Sequence, residues 1–447
     1  MLIPWLSLLD IGSVRANFIE PIDINKIKTH SPDFSLLVPI YNDLKYLKNI
    51  DFLKKYGCRV VLCTTTNETP DFITEIEKIC VEYGFRLILC DIGSGDKNPW
   101  AIYSYAFFAN EKVFGRVTRM IKSEYIIFID GDTVVKESLT KLCGAMRETG
   151  YDLASVKVLP SKRETIMEKL QGIEYDVAMQ TRLIYPWLTS GAGMVAKRKT
   201  IMNIMKNHSF FFHGGDIEIG KLADMMGYKV GHLPMIFLTD IPSSFKAWVK
   251  QRFLWMSGCF RHSIINAHHN LRYPYHFIYF TFVIYILFPF KIIEISKHLY
   301  FLPILISFYA LLTYLVNWKV RNNWMIAFPF YALFQVLAIT WFGVYRYIAS
   351  SLKSKNLGLI QMTHNPKKVP KYGGNLIFNL SKIALFLFII GLAASSFEQK
   401  LILNRTYQPI EYGTMAKDLS AKISKKALSL AQNAYASQTA SVIYIRE

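Results

Sequence analysis

The sequence contains few cysteines, and their spacing builds neither a metal site nor a disulfide framework. The six cysteines include no Cys-x-x-Cys pair, which excludes zinc ribbons and zinc fingers. Scattered thiols of this kind are typical of buried side chains in a reducing compartment. They are Cys58, Cys63, Cys80, Cys90, Cys143 and Cys259.

The sequence also contains few acidic residues relative to basic ones. The 33 Asp and Glu residues are outnumbered by 52 Lys and Arg residues, so the formal net charge is +19. Such an excess suits nucleic acid, an anionic lipid surface or a phosphorylated small substrate. The chain lacks the basic helix and the aromatic-basic repeats of nucleic-acid-binding modules, and we therefore predict no nucleic-acid partner. A lipid bilayer and a phosphorylated substrate remain as candidate partners for the positive charge.

The start of the chain lacks a basic leader. The apolar run of MLIPWLSLLDIG is interrupted by Pro4 and Asp10, so it fits neither a signal peptide nor a spanning helix. We expect residues 1–30 to form a surface anchor or arm. Hydrophobic residues nevertheless make up 52% of the 447 residues, more than most soluble domains contain. This content indicates that part of the protein lies in a membrane.

Residues 31–247 have the pattern of an α/β domain. Short continuous apolar runs alternate with helix-length segments, which predicts a Rossmann-like, mostly parallel sheet covered by helices on both faces. Ligands of such sheets bind beyond the carboxyl ends of the strands, so the loops after the runs should surround one crevice. The runs are FSLLVPIY (34–41), CRVVLCTT (58–65), FRLILCDI (85–92), EYIIFIDGD (124–132) and DLASVKVLP (152–160).

The chain becomes strongly apolar after residue 272. We predict an α-helical transmembrane region over 273–396, a multi-pass topology counted from a cytoplasmic N-terminal domain, and a C-terminal tail over 397–447. The lysine-rich loop 350–375 favours the cytoplasmic side, whereas three full crossings would place it outside. One of the first three segments would then re-enter or lie along the interface. The four segments long enough to cross are 275–293, 299–316, 324–345 and 376–394.

Two carboxylates follow the fourth apolar run, in FIDGDTVV. Asp130 and Asp132 are separated by one glycine, which lets a ligand approach the backbone closely. Carboxylates at this spacing can hold a hard divalent cation that neutralises a diphosphate, although Asp-x-Asp turns also occur without a metal. The buried run before the turn favours the metal site.

A second acidic cluster stands in HGGDIEIGKLADMMGYKVGHLP. Asp216 follows the pair Gly214 and Gly215, which suggests a close approach of a ligand, and precedes a predicted helix and strand. Two interpretations are open. Asp216 either caps the helix, or its carboxylate deprotonates an acceptor hydroxyl in the crevice.

The segment KQRFLWMSG lies in residues 248–272, which we interpret as an interfacial helix. Gln251 and Trp255 are four residues apart and share one helical face, with Arg252 beside them. By itself, this pattern is most typical of an aromatic helix face at a membrane border.

Together, these segments resemble the processive family 2 glycosyltransferases, the membrane synthases that include the hyaluronan, chitin, cellulose and capsular polysaccharide synthases. The resemblance covers roughly residues 33–365 and depends on the order and spacing of its motifs. The motifs are LLVPIYND at the first nucleotide-binding strand, GDKNPWA, DGD, the glycine-rich turn SGAGMVAKR, GGDIE and QRFLW.

The resemblance implies a catalytic GT-A domain that faces the cytosol, binds a UDP-sugar with Mn²⁺ or Mg²⁺ and transfers the sugar with inversion. Asp132 would ligate the metal ion, and Asp216 would be the catalytic base. Gln251, Arg252 and Trp255 would bind the diphosphate and the acceptor sugar, while Lys97 either adds positive charge near the nucleotide or is a solvated loop residue. The remaining substrate-binding positions would be Pro39, Tyr41, Thr64, Asp130, Gly191 and Gly215.

The sequence departs from the family pattern at several positions. No carboxylate precedes Glu68 in VVLCTTTNET to hold the uridine, and NLGLIQMTHN (356–365) keeps only Thr363 of a gating loop. Leu254 replaces the arginine of the tryptophan motif. Because positions 252 and 254 point about 200° apart on a helix, Arg252 does not simply replace it.

Three functions compete for this sequence. The favoured one is a polysaccharide synthase that elongates and exports a glycan. The second is a single-addition glycosyltransferase that modifies a ceramide- or polyprenyl-phosphate-like lipid, for which the change at Leu254 leaves room. The third is a non-enzymatic membrane scaffold, and the intact Asp130, Asp132 and Asp216 argue against it.

Overall fold

The computed structural model describes residues 14–91, 113–208, 214–277 and 302–353, together with 281, 284, 285 and 300. The predictions for Lys97 and for the loop 356–365 lie outside these residues, as do those for the segment 376–394 and the tail 397–447. Each of the five predicted apolar runs contains a strand. The strands are β1 (Phe34–Pro39), β2 (Val60–Thr65), β3 (Arg86–Cys90), β4 (Tyr125–Phe128), β5 (Val134–Val135), β6 (Leu153–Pro160), β7 (Met194–Lys197) and β8 (Val230–Thr239).

Helices connect the strands and continue the chain beyond β8. Residues 113–120 are also helical, and the π-helical turn Gln335–Ile339 joins the last two helices. The helices are α1 (Ile50–Leu53), α2 (Pro70–Tyr83), α3 (Leu139–Thr149), α4 (Ile166–Ile184), α5 (Arg198–Ile204), α6 (Gly215–Met225), α7 (Phe245–Ile265), α8 (Ala267–Arg272), α9 (Pro274–Phe277), α10 (Leu302–Val316), α11 (Phe328–Phe334) and α12 (Thr340–Lys353).

The eight strands form one mixed sheet in the order β3-β2-β1-β4-β7-β6-β8-β5. The β3-β2-β1-β4 half is parallel, as predicted, and β6 pairs parallel with β8. Strand β7 runs antiparallel to β4 and to β6, and β5 runs antiparallel to β8. An apolar run indicates that a strand is buried but not in which direction it runs. The antiparallel direction of β7 and β5 was therefore not predicted.

The sheet is buried on both faces, which explains why its strands are continuous apolar runs. Successive side chains of a strand point to opposite faces. In β1, Leu36 packs in the cluster that contains Ile76 of α2, whereas Leu37 packs in the cluster that contains Ile201 of α5. The predicted α/β fold with helices on both faces is confirmed.

The helices after β8 give a more limited result for the membrane. In the part of the chain that the structure describes, one helix, Phe328–Ala349, is long and apolar enough to cross a bilayer, and Leu302–Val316 is apolar but shorter. A single helix of this kind also occurs in the cores of soluble proteins. The predicted region of about four membrane helices is therefore not confirmed, and the multi-pass topology stays a prediction.

Candidate active site

The Asp-Gly-Asp turn follows β4 and is held by the loop between β1 and α1. The carbonyl of Gly131 accepts hydrogen bonds from the backbone N–H groups of Lys48 (2.8 Å) and Asn49 (3.1 Å). A Cβ atom added to Gly131 would lie 2.7 Å from the carbonyl oxygen of Tyr46. Since this distance is shorter than a van der Waals contact, the close approach requires glycine at this position.

The side chain of Asn49 holds both ends of the same turn. Its Nδ2 donates to the carbonyl oxygens of Asp130 (3.1 Å) and Thr133 (2.7 Å). Asn49 is itself buried, at 2% exposure. The backbone that carries Asp130 and Asp132 is thus fixed by hydrogen bonds before any ligand binds.

Asp130 lies within electrostatic reach of both Asp132 and Asp216, and all three residues are partly buried. Burial, together with the negative charges of Asp132 and Asp216, raises the pKa of Asp130 to about 7. Burial also raises the pKa of Asp132, whose Oδ1 accepts a hydrogen bond from Thr239 Oγ1 at 3.0 Å. The structure therefore brings together the two acidic motifs that the sequence predicted for one site.

A divalent cation is chemically suited to this crevice, because two carboxylates that repel each other are stabilised by a positive charge between them. No group of three or more His, Cys, Asp or Glu side chains that could hold a metal ion occurs among the described residues. Asp132, with Asp130, would hold such an ion only if the bound substrate or water completed its coordination. The metal role of Asp132 stays a prediction.

Asp216 lies in the first turn of α6, and its carboxylate contacts the glycine-rich turn SGAGMVAKR. The N–H of Gly191 donates to Asp216 Oδ2 at 2.8 Å, and Thr189 Oγ1 donates to the Asp216 carbonyl at 2.5 Å. The N-cap position belongs to Gly214, which adopts the left-handed conformation with φ of +88°. Asp216 is therefore not the N-cap, and its carboxylate lies at the crevice with a pKa that burial raises.

Helix α7 supports the start of α6 from behind. His262 Nε2 donates to the carbonyl oxygen of Gly214 at 2.7 Å, and a Cβ atom on Gly214 would lie 2.5 Å from that nitrogen. Arg261 of α7 forms an ion pair with Glu218, which is 2% exposed. Glu218 thus ties α6 to α7, whereas Asp216 faces the crevice.

The loops after β1 and β2 meet at the same edge of the sheet. The backbone N–H of Asn42 donates to Glu68 Oε2 at 3.0 Å, and Asn42 has a φ of +63°. Thr64 is fully buried, with no hydrogen-bond partner for its hydroxyl oxygen among the described residues. Pro39 ends β1 beside β2. Glu68 is the carboxylate closest in sequence to the predicted base-binding strand end, and the structure places it against the loop after Pro39.

The tryptophan motif divides its side chains between the surface and the interior. Trp255 is 39% exposed, whereas Arg252 and Leu254 are 0% and 8% exposed. The Arg252 guanidinium carbon lies 4.0 Å from the centre of the Trp255 ring, and Arg252 Nη1 donates to Gln251 Oε1 at 2.6 Å. Leu254 is a packing residue. The described contacts of Arg252 are with protein groups, and its diphosphate contact stays a prediction.

Helix α4 contributes residues that the sequence reasoning missed. The ring centre of Tyr175 lies 6.5 Å from that of Trp255. Burial lowers the pKa of Arg182 to about 10, with the nearby Asp216 opposing the shift. Tyr175 and Arg182 are seven residues apart, or about two helical turns, and therefore share one face. Their spacing of seven residues within a helix-length segment could have predicted from the sequence that Tyr175 and Arg182 lie on the same helical face.

Comparison with known proteins identifies the sequence group. A profile described as "Glycosyl transferase family group 2" matches residues 125–349, which is half of the chain. The matched span begins at β4 and includes Asp130, Asp132, Asp216 and the helix that carries Trp255. No curated protein matches the sequence significantly.

Solved structures resemble this chain at low identity. The mannosyltransferase PcManGT from Pyrobaculum calidifontis, in complex with GDP-Man and Mn²⁺, is 14% identical, with 80% of this chain and 98% of that chain covered and a TM-score of 0.44. TarS residues 1–349 from S. aureus are also 14% identical, with 76% and 99% covered and a TM-score of 0.37.

Proposed function

Since the chain belongs to glycosyltransferase family group 2 and is a glycosyltransferase, we propose that its crevice transfers a sugar from a UDP-sugar to the hydroxyl of a membrane-associated acceptor. The observation that carries the proposal is the convergence of Asp130, Asp132 and Asp216. The first two extend from a rigid turn after β4 and the third from the start of α6, and the charges of Asp132 and Asp216 both act on Asp130. In such a cluster the Asp-Gly-Asp turn would bind the donor, and Asp216 would face the acceptor hydroxyl.

The Asp-Gly-Asp turn would receive the donor. Mn²⁺ or Mg²⁺, when bound, would neutralise the diphosphate and ease its departure. Asp132 would hold the ion, and Thr239 would orient the Asp132 carboxylate through its hydrogen bond. Asp130 would contact the nucleotide sugar. Because the backbone of the turn is already fixed by Asn49, the donor would meet a preformed site.

Asp216 would act as the general base. Its carboxylate would take the proton of the acceptor hydroxyl as that oxygen forms a bond to the anomeric carbon. The bond from the anomeric carbon to the diphosphate oxygen breaks in the same displacement, so the configuration inverts and the nucleoside diphosphate leaves. The raised pKa of Asp216 favours this role, because a base that holds the proton more strongly drives its transfer further.

The acceptor side would be formed by Trp255, Gln251 and the turn at Gly191. An exposed indole face is a natural surface for a pyranose ring, and Tyr175 lies beside it. We propose an elongating polysaccharide as the acceptor, exported across the bilayer. A membrane lipid is the second candidate, because α11, at the start of the apolar helix Phe328–Ala349, packs directly on α7 through Trp248.

Product size distinguishes the two acceptors. The purified protein would be incubated in detergent with radiolabelled UDP-sugars and Mn²⁺ or Mg²⁺. High-mass, glycosidase-sensitive material would support the polysaccharide, and an organic-extractable product would support the lipid. If the protein forms neither product from any sugar nucleotide while Asp216→Asn behaves identically, the proposed function is wrong.

A further inference from the structure

A buried set of hydrogen bonds joins α4, α7 and α11 behind the exposed ring of Trp255. Arg252 Nη2 donates to Glu174 Oε2 at 2.5 Å, and the Tyr331 hydroxyl donates to the same oxygen. Trp248 Nε1 donates to the Tyr331 hydroxyl oxygen at 2.7 Å. We call Glu174, Trp248, Arg252 and Tyr331 the Arg252 network.

The same guanidinium contacts two residues of the proposed acceptor site. Arg252 Nη1 donates to Gln251 Oε1 at 2.6 Å, and the guanidinium lies over the Trp255 ring at 4.0 Å. One guanidinium group thus bonds Glu174 through Nη2 and Gln251 through Nη1 while its carbon lies over the Trp255 ring. The amide of Gln251 and the plane of Trp255 therefore depend on where Glu174 and Tyr331 hold Arg252.

Burial makes this arrangement costly, which argues against a purely incidental ion pair. Arg252 is 0% exposed, and its Nε has no hydrogen-bond partner among the described residues. Replacing a buried ion pair by well-packed apolar side chains of similar volume is often neutral or stabilising. A charge retained in such a position favours a role in orientation, because charge-assisted hydrogen bonds fix angles that apolar contacts leave free.

The leucine at position 254 leaves Arg252 as the arginine of the tryptophan motif. Leu254 fills the motif position that holds arginine in the resembling family, and it is buried by packing at 8% exposure. Within the motif QRFLW, Arg252 is therefore the single guanidinium available to Trp255. It reaches the ring because residues three apart lie on the same side of a helix.

We propose that Glu174 and Tyr331 are positioning residues: by holding Arg252, they fix Gln251 and Trp255 for the acceptor sugar. In this role Arg252 acts through its neighbours, in place of the diphosphate contact that the sequence predicted. The inference rests on the proposed function. Because Tyr331 belongs to the apolar helix Phe328–Ala349, it also couples the position of that helix to acceptor binding.

The test measures acceptor and donor constants separately in Glu174→Gln and Tyr331→Phe. The UDP-sugar found in the product assay serves as donor, and a short oligosaccharide of the transferred sugar serves as acceptor. We expect kcat/KM for the acceptor to fall about 10- to 100-fold, the loss typical of a small misplacement. The KM for the donor and the acceptor-independent hydrolysis of the donor should stay within about twofold of wild type.

Asp176→Asn provides the matched control. Asp176 lies on the same helix, two residues and therefore about 200° around it from Glu174, and its carboxylate forms an ion pair with Arg163, which is outside the Arg252 network. It has no assigned part in binding, so all three constants should match those of the wild type. If Asp176→Asn lowers acceptor kcat/KM as much as Glu174→Gln does, the effect is one of helix stability and the inference is overturned.

Glu174→Gln leaves a buried charge without its partner and could impair folding. The double variant Glu174→Gln, Arg252→Met removes both charges, and we expect it to recover the thermal midpoint while acceptor kcat/KM stays low. Recovery of both would show that the network serves folding alone. Equal losses toward donor and acceptor, or no loss, would also overturn the inference. Absence of transfer by the wild type, measured in parallel, would instead refute the proposed function.

Discussion

The replacement Asp216→Asn tests the proposed reaction most directly. It removes the base but keeps nearly the same volume, and an asparagine oxygen can still accept the hydrogen bond that Gly191 donates at 2.8 Å. The turn at Gly191 and the start of α6 should therefore keep their geometry. What disappears is the group that would take the proton from the acceptor hydroxyl.

The expected loss follows from the role of a general base. Such a base contributes about 10²- to 10⁴-fold to turnover, or roughly 3 to 5 kcal/mol of activation free energy. Stability should change little. Loss of a negative charge in the first turn of α6 costs about 0.3 to 1 kcal/mol. The raised pKa of Asp216 shows that burial already disfavours its charged form, which offsets this cost.

The assay compares kcat, the KM for the UDP-sugar and the thermal midpoint in wild type, Asp216→Asn and Asp224→Asn. Asp224 lies on the same helix but bonds His269 Nε2 (2.9 Å) and the Tyr273 hydroxyl (2.8 Å) instead of the crevice. Its replacement should lower the midpoint and leave kcat near the wild-type value. In the wild type, kcat/KM should fall with decreasing pH through the raised pKa of Asp216, where the base becomes protonated. If Asp216→Asn keeps more than about a tenth of the wild-type kcat, well above the range expected for a lost base, or if its donor KM rises in proportion, the reasoning fails.

Three further predictions concern other parts of the site. Leu254→Arg should lower the free energy of unfolding by about 3 to 5 kcal/mol, because it buries an unpaired charge, and an unchanged urea midpoint would contradict its packing role. Gly131→Ala should cost about 1 to 3 kcal/mol and weaken Mn²⁺ binding in calorimetry, since its Cβ atom would overlap Tyr46; unaltered affinity would show that the turn adapts. Because the pKa of Asp130 is raised to about 7, Mn²⁺ affinity should fall as pH decreases below that value, by up to about tenfold per unit. Asp130→Asn should reduce this slope to the part that Asp132 contributes through its own raised pKa, and an equal slope in that variant would exclude Asp130 as a source.

Most of the central sheet could be predicted because strands buried on both faces have a distinctive sequence pattern. The run FSLLVPIY contains β1, and EYIIFIDGD contains β4 with the acidic turn directly after it. The prediction that loops after parallel strands meet is confirmed for Asn42 and Glu68, which are hydrogen-bonded. Membership of glycosyltransferase family 2 was likewise recognisable from the order of the motifs, and the match over residues 125–349 confirms it. The processive polysaccharide-synthase subtype stays a prediction.

The direction of β7 and the surroundings of Arg252 were not predictable in this way. Strand β7 has four residues, and nothing in a run that short indicates whether it enters the sheet parallel or antiparallel. Spacing on a helix correctly placed Gln251 and Trp255 near each other. It carried no information on Glu174 or Tyr331, which lie 78 and 79 positions from Arg252 along the chain.

Local chemistry thus determined which segments are strands, where the carboxylates fall and which family the chain joins, because periodicity, burial and motif order are properties of neighbouring residues. Tertiary structure decided how those carboxylates share one crevice. It also decided that Leu254 packs inside while Arg252 bonds Glu174. The physical reason is that pKa values and ion pairs depend on distances between helices that meet only in the folded protein, where burial disfavours every charge that has no partner.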